Sequence, residues 1–116
     1  MSIATTIRQQ IGLGSLMSLG MHQPAALTAN SEEVGFTFLA RILPFTKSGR
    51  RGASPRVMRV CITLNGSDLY DVEVTYIARR QSVTHYEAVN VGAERISTLI
   101  LALDYDGDQV LNPRLI

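Results

Sequence analysis

Apolar residues recur along this chain with two different periods. Near the beginning, Ile3, Ile7 and Ile11 return every fourth residue, and Leu16 and Leu19 extend the stripe, as the buried face of a helix does. The pattern predicts a helix over 7–19. Thr6, three residues before Gln9, fits a capping box at its start, and Gly20 fits its C-terminal stop. Gly12 and Gly14 lie inside that span; each weakens a helix by about 1 kcal/mol relative to alanine, so they mark close backbone packing or a kink. Leu13 falls off the main stripe, which leaves it for an exposed contact. Residues 21–33, with Pro24 as a breaker and Asn30-Ser31 as turn chemistry, read as a loop.

From residue 36 the period is two. Phe36, Phe38, Ala40 and Ile42 alternate with Thr37, Leu39 and Arg41, predicting a first strand. Residues 44–55 are polar, basic and glycine-containing between two prolines, the composition of a long hairpin loop. Met58, Val60, Ile62 and Leu64 form the apolar face of a second strand, with Arg59 and Thr63 opposite. Asn65-Gly66-Ser67-Asp68 is a tight turn. Val72, Val74 and Tyr76 alternate with Asp71, Glu73 and Thr75 in a third strand; Arg79-Arg80-Gln81-Ser82 turns the chain, and Val83 to Val89 makes a fourth. The helical period then returns: Ile96, Leu99, Ile100 and Leu103 predict a helix over 92–103, with Asn90 as its N-cap. The expected fold is α+β in the order α-β-β-β-β-α: a four-stranded antiparallel meander with two helices packed on one face. It forms a single domain, 1–116, with a C-terminal tail at 108–116.

Composition narrows the class without changing this picture. The chain has 116 residues, 46% apolar and 18% charged, enough for one packed core and too short for two. A formal net charge of +1 excludes a polycation. The charges are unevenly placed, however. Arg8, Arg41, Lys47, Arg50, Arg51, Arg56 and Arg59 face only Glu32 and Glu33 in the first half, while carboxylates outnumber arginines in the second. Cys61 is the one cysteine, so no disulfide forms within the chain. The beginning of the chain has no basic segment followed by a long apolar core. The longest apolar stretch, around Ile96 to Leu103, falls far short of the roughly 20 residues that span a bilayer. A cytoplasmic protein without membrane contact is expected.

Candidate chemistry is sparse. His22, His85 and Cys61 supply the nitrogen and sulfur donors, and no two form a short-spaced ligand pair. Asp104-Tyr105-Asp106-Gly107-Asp108 resembles the start of a calcium loop, but glycine falls at the fourth position and Leu115 occupies the twelfth. Turn chemistry explains it better, so no metal or cofactor is expected. Cys61 and His85 could meet across strands as a thiolate pair. A mid-strand cysteine among apolar residues is more simply a small hydrophobe, and His85 a solvent-facing strand residue. No nucleophile elbow, phosphate loop or dinucleotide fingerprint is present. The expectation is a protein without catalytic residues.

Binding offers more. Lys47, Arg50, Arg51, Arg56 and Arg59 concentrate in and beside the 44–55 segment, where they could track phosphates. The order of elements invites comparison with double-stranded-RNA-binding domains, yet the start of the last helix reads Gly92-Ala93-Glu94-Arg95, without the basic motif those domains place there. The tail, Gln109-Val110-Leu111-Asn112-Pro113-Arg114-Leu115-Ile116, is unusually apolar. It either folds back on the sheet or acts as a short linear ligand for another protein's groove. In the second case Gln109, Leu111, Pro113, Leu115 and Ile116, with Leu13, are the partner-binding residues. Glutamine followed by spaced aliphatics loosely resembles peptides that enter the pocket of the bacterial β sliding clamp. An exposed edge strand also offers pairing with a second copy.

The stretch Ile62-Thr63-Leu64-Asn65-Gly66-Ser67-Asp68-Leu69-Tyr70-Asp71-Val72, with Thr6 to Ile11 and Leu16 to Gly20, resembles a family of small proteins from bacteriophages and other mobile elements. Ala102 to Asp108 and Leu111 to Arg114 are similar to its actinobacterial-phage members, and the likeness covers about residues 5–115. It implies a phage gene product acting in the host cytoplasm, and it brings no catalytic residues. The expected function is non-catalytic binding to a host protein, with inhibition of host replication at the β sliding clamp as the leading case. The alternative is a nucleic-acid-binding accessory protein using the basic 44–59 region.

Overall fold

A computed structural model of the chain describes residues 3–44, 52, 54–103, 105–106 and 109–110. Helices α1 (Ile3–Ile11) and α2 (Leu13–Ser18) lead into five strands, β1 (His22–Ala29), β2 (Glu32–Ile42), β3 (Arg56–Leu64), β4 (Tyr70–Ala78) and β5 (Gln81–Val91). Helix α3 (Ala93–Ala102) follows, then a two-residue pair, β6 (Tyr105–Asp106) and β7 (Gln109–Val110). The five long strands form one antiparallel sheet in chain order, β1 to β5, and β6 pairs with β7 separately. The fold is α+β.

The sheet has five strands rather than the four expected, because the segment expected to be a loop is β1. It pairs with β2 from His22↔Leu39 to Ala29↔Glu32 through a two-residue turn, with Asn30 and Ser31 at φ 53° and 68°. Both positive angles match a turn whose twist suits a hairpin. β1 hides little apolar surface of its own and contains Pro24, which an edge strand tolerates because one row of its N–H groups needs no partner.

The first helix also differs from expectation. It begins at Ile3 and breaks at Gly12, where φ is +90°, an angle that costs a residue with a Cβ and not glycine. Thr6 therefore sits inside α1 rather than at its start. The first turn is held instead by the Glu33 carboxylate of β2, whose Oε1 accepts the Ala4 N–H at 2.5 Å, a favourable place for a negative charge. The expected stop at Gly20 is present: its N–H donates to the Met17 carbonyl and the Met21 N–H to that of Leu16, the paired bonds of a Schellman ending.

Strands β2, β3 and β4 keep the predicted alternation. Phe36, Phe38, Ala40 and Ile42, then Met58, Val60 and Ile62, then Tyr70, Val72 and Val74 all point to one face and are buried. Ile7, Ile11, Leu16, Ile96 and Ile100 from the helices, with Leu19 and Leu103 just past the ends of α2 and α3, close over them in a single core. Burying each large aliphatic contributes about 1.5–3 kcal/mol. At Gly35 the sheet admits no side chain, since a Cβ there would lie 2.1 Å from the Ile62 carbonyl oxygen.

At the β4–β5 connection only Arg79 and Arg80 turn, both at positive φ; Gln81 and Ser82 already belong to β5. The register of β5 slips between Tyr70 and Val72 and again between Val74 and Thr75, which explains its weak alternation. Asn90 lies in the first of these irregularities at φ 57° and is not the helix cap; Gly92 precedes α3 with no side-chain cap bond. Asn90 belongs to a polar clasp. Asn65 Oδ1 accepts the Ser67 and Leu69 N–H groups, and its Nδ2 donates to Asp71 Oδ1 at 3.0 Å and to Asn90 Oδ1 at 2.9 Å. Asp71 Oδ1 also accepts the Asn90 N–H. Much of the Ile62–Val72 stretch thus ties the β3–β4 turn to the end of β5.

Candidate docking surfaces

Three surfaces formed by the described residues are candidates for docking. The first is a cleft of about 530 Å³ between β5 and α3, with Tyr86, Ala88, Val91, Arg95, Leu99 and Leu103 among its walls. It lies where α3 follows β5 almost directly through Gly92, so that residues late in β5 and along α3 line it together. On its other side β5 pairs with no described strand. Glu94 and Arg95 give the cleft charges of both signs at the helix start, and His85, Asn90 and Thr98 add polar groups among its aliphatic walls.

The second surface is the face of the sheet without helices. Here the intervening residues point outward. Arg41, Val57, Arg59 and Ile77 lie toward the end where β2 passes to β3, with Val57 52% and Ile77 66% exposed. Thr37, Cys61, Glu73 and Glu87 follow in one cross-strand row. Thr37 is buried at the centre of this face, its hydroxyl donating to the Val60 carbonyl at 2.9 Å and accepting from Arg59 Nη1 at 3.2 Å.

The third surface is one end of the sheet. The meander brings the β2–β3 and β4–β5 connections to the same end, where Arg41, Arg56, Arg79 and Arg80 gather. Arg56 donates to the Ile77 carbonyl and stacks 5.2 Å from the centre of the Tyr76 ring. Glu32, Glu33, Asp68 and Asp71 occupy the opposite end.

Of the residues singled out in the sequence, Arg56 and Arg59 are both on β3 but on opposite faces, so they do not form one continuous strip. Lys47, Arg50 and Arg51 lie outside the described residues, as do Leu111, Pro113, Leu115 and Ile116. Leu13 opens α2, and Gln109 opens β7, paired with Asp106. Cys61 and His85 are not brought together. β4 lies between their strands, and Cys61 is aligned with Glu73 and Glu87 instead. Its thiol is half-buried, 3.5 Å from the Thr37 hydroxyl, and is not part of the apolar core. No group of three or more metal-ligating side chains occurs among the described residues.

Sequence reasoning missed the β5–α3 cleft, because nothing local states how a helix crosses a strand. It also missed the inner-face pair of Tyr70 and Gln10, in which the phenol donates to Gln10 Oε1. Burial pushes the Tyr70 phenol up from its ordinary value, with the Gln10 hydrogen bond acting in the opposite direction. No known protein family, curated protein or solved structure matches the chain.

Proposed function

We propose that this chain is a non-catalytic binding protein, phage-encoded as its resemblance implies, that docks onto a host protein. The observation supporting it most is the β5–α3 cleft beside an open sheet edge. An extended segment of another protein added along β5 would gain main-chain hydrogen bonds, while its alternate side chains enter the adjoining cleft, aliphatic at Leu99 and Leu103 and polar at Asn90 and Thr98. The volume is that of sites that hold several side chains. The β sliding clamp is the first partner to test, on the strength of Gln109 and the aliphatics that follow it. The experiment is affinity purification from host lysate, with purified clamp in parallel. The wild-type chain is compared with Leu99→Glu and with a chain ending at Asp108, each verified as folded by circular dichroism. One stoichiometric host protein, lost with Leu99→Glu, is the expected result. Loss on truncation alone moves the site to the tail, and capture of nothing by the wild-type chain removes the reading.

A second reading, nucleic-acid binding, draws on the gathering of Arg41, Arg56, Arg79 and Arg80 at one end of the sheet, beside the segment that carries Lys47, Arg50 and Arg51. It requires retention on DNA or RNA that falls steeply with salt and is lost with Arg79→Ala and Arg80→Ala together.

A further inference from the structure

The helix-free face has an arrangement that is unfavourable in a single copy. Glu73 and Glu87 are directly opposite each other on neighbouring strands, a like-charge pair that destabilises a sheet. Two residues further along the strands the sign reverses, with Arg59 followed by Arg41. Between and beside these charges stand Val57 and Ile77, 52% and 66% exposed. The face is therefore apolar in patches, positive at one end and negative toward the other.

We propose that this face is a self-association surface, on which two copies stack sheet against sheet with their strands antiparallel. A two-fold axis lying between the sheets and across the strands places the arginine end of each copy over the carboxylate row of the other. Arg59 then approaches Glu73 and Glu87 of the second copy, and the reciprocal contact follows by symmetry. The alternative axis, along the strands, sets arginine over arginine and is excluded by charge. Stacked sheets lie about 10 Å apart, within reach of an arginine side chain from each side.

The area is sufficient. Five strands at about 4.8 Å spacing, each about eight residues long at about 3.4 Å per residue, offer roughly 600 Å² per copy. Two copies bury about 1,200 Å², the lower bound for a specific interface. The same features disfavour other occupants. A polyanion or an anionic membrane laid across the face would meet the Glu73–Glu87 pair, and this face presents no aromatic residue on which a base could stack. Pairing of β5 edges would leave these charges untouched.

The test is sedimentation equilibrium on the full chain after nuclease treatment, from about 1 µM to about 1 mM, the range in which a small interface dissociates. A monomer–dimer equilibrium is expected. Arg59→Glu weakens it about tenfold or more, Glu73→Arg does the same, and the two together restore most of the affinity, as paired charges across an interface do. Ile77→Glu, an exposed position outside the core, also weakens it and separates the surface from any folding effect. A chain that stays monomeric throughout overturns the proposal. So does a dimer indifferent to Arg59→Glu and Ile77→Glu, or one lost with the nucleic acid. The proposal is independent of host-protein binding: a monomer that still captures a host protein through Leu99 leaves that reading intact.

Discussion

On the inner face of the sheet, Phe38, Met58, Val60, Ile62 and Val74 lie under the helices with no exposure, while the same strands turn Thr37, Arg41, Val57, Arg59, Cys61, Glu73 and Ile77 to the other side. The backbone is shared; only the partner differs. Because side chains alternate, a one-residue slip of any of these strands would drive arginine and glutamate under the helices and expose the core. The inner face therefore sets the register, and the outer face inherits its arrangement of charge. Stability belongs mostly to one side of the sheet and freedom to vary to the other, so the proposed binding surfaces lie on the outer face, at the β5 edge and at the arginine end.

Paired substitutions test that division most severely. Phe38→Ala should cost about 3–5 kcal/mol in urea unfolding, since it empties a fully buried ring site. A cost under about 1 kcal/mol would mean the inner face is loosely packed and the contrast overdrawn. Next is the clasp at the sheet's acidic end. Asn65→Ala removes bonds to Ser67, Leu69, Asp71 and Asn90 and should cost about 1–2 kcal/mol, with faster hydrogen exchange at Leu69 and Asn90 as its local signature. Gly12→Ala, at φ +90°, should cost about 1 kcal/mol, and full retention of stability would indicate a continuous first helix.

Tyr70 gives the inner face a pH dependence. Burial disfavours the phenolate, so the folded protein holds this proton more tightly than the unfolded chain, whose tyrosine ionises near 10.0. The contribution is fully present below that pH and is lost as pH rises through the raised folded value. Tyr70→Phe should remove the alkaline decline in thermal midpoint, and an unchanged decline would assign it to other groups. The smallest effects are expected on the outer face: Ile77→Ala and Cys61→Ala should each stay within about 0.5 kcal/mol. A larger loss in Ile77→Ala that appears only at high protein concentration would point to the stacked dimer.

Not all of the chain was equally legible. Strands β2, β3 and β4, the turn at Asn65 and the stripe of α3 follow from local period and turn chemistry, since the residues that define them stand next to one another in the chain. β1 could not be read that way. Its residues are mostly exposed and show little alternation, and it is a strand because β2 supplies the hydrogen-bond partners. The Asn90 cap failed for the same reason, as a slipped register in β5 takes that residue into the clasp.

By itself, then, the order of residues determined which side chains enter the core, the α+β class, and the absence of an internal disulfide, because those depend on composition and short-range period. The tertiary structure alone decided that Cys61 faces Glu73 and not His85, that Arg56 and Arg59 part to opposite faces, that distant arginines meet at one end, and that α3 leaves a cleft along β5. The physical reason is that a β-sheet's contacts are non-local: strand order and register, set by how one apolar face is buried, determine which distant residues become neighbours.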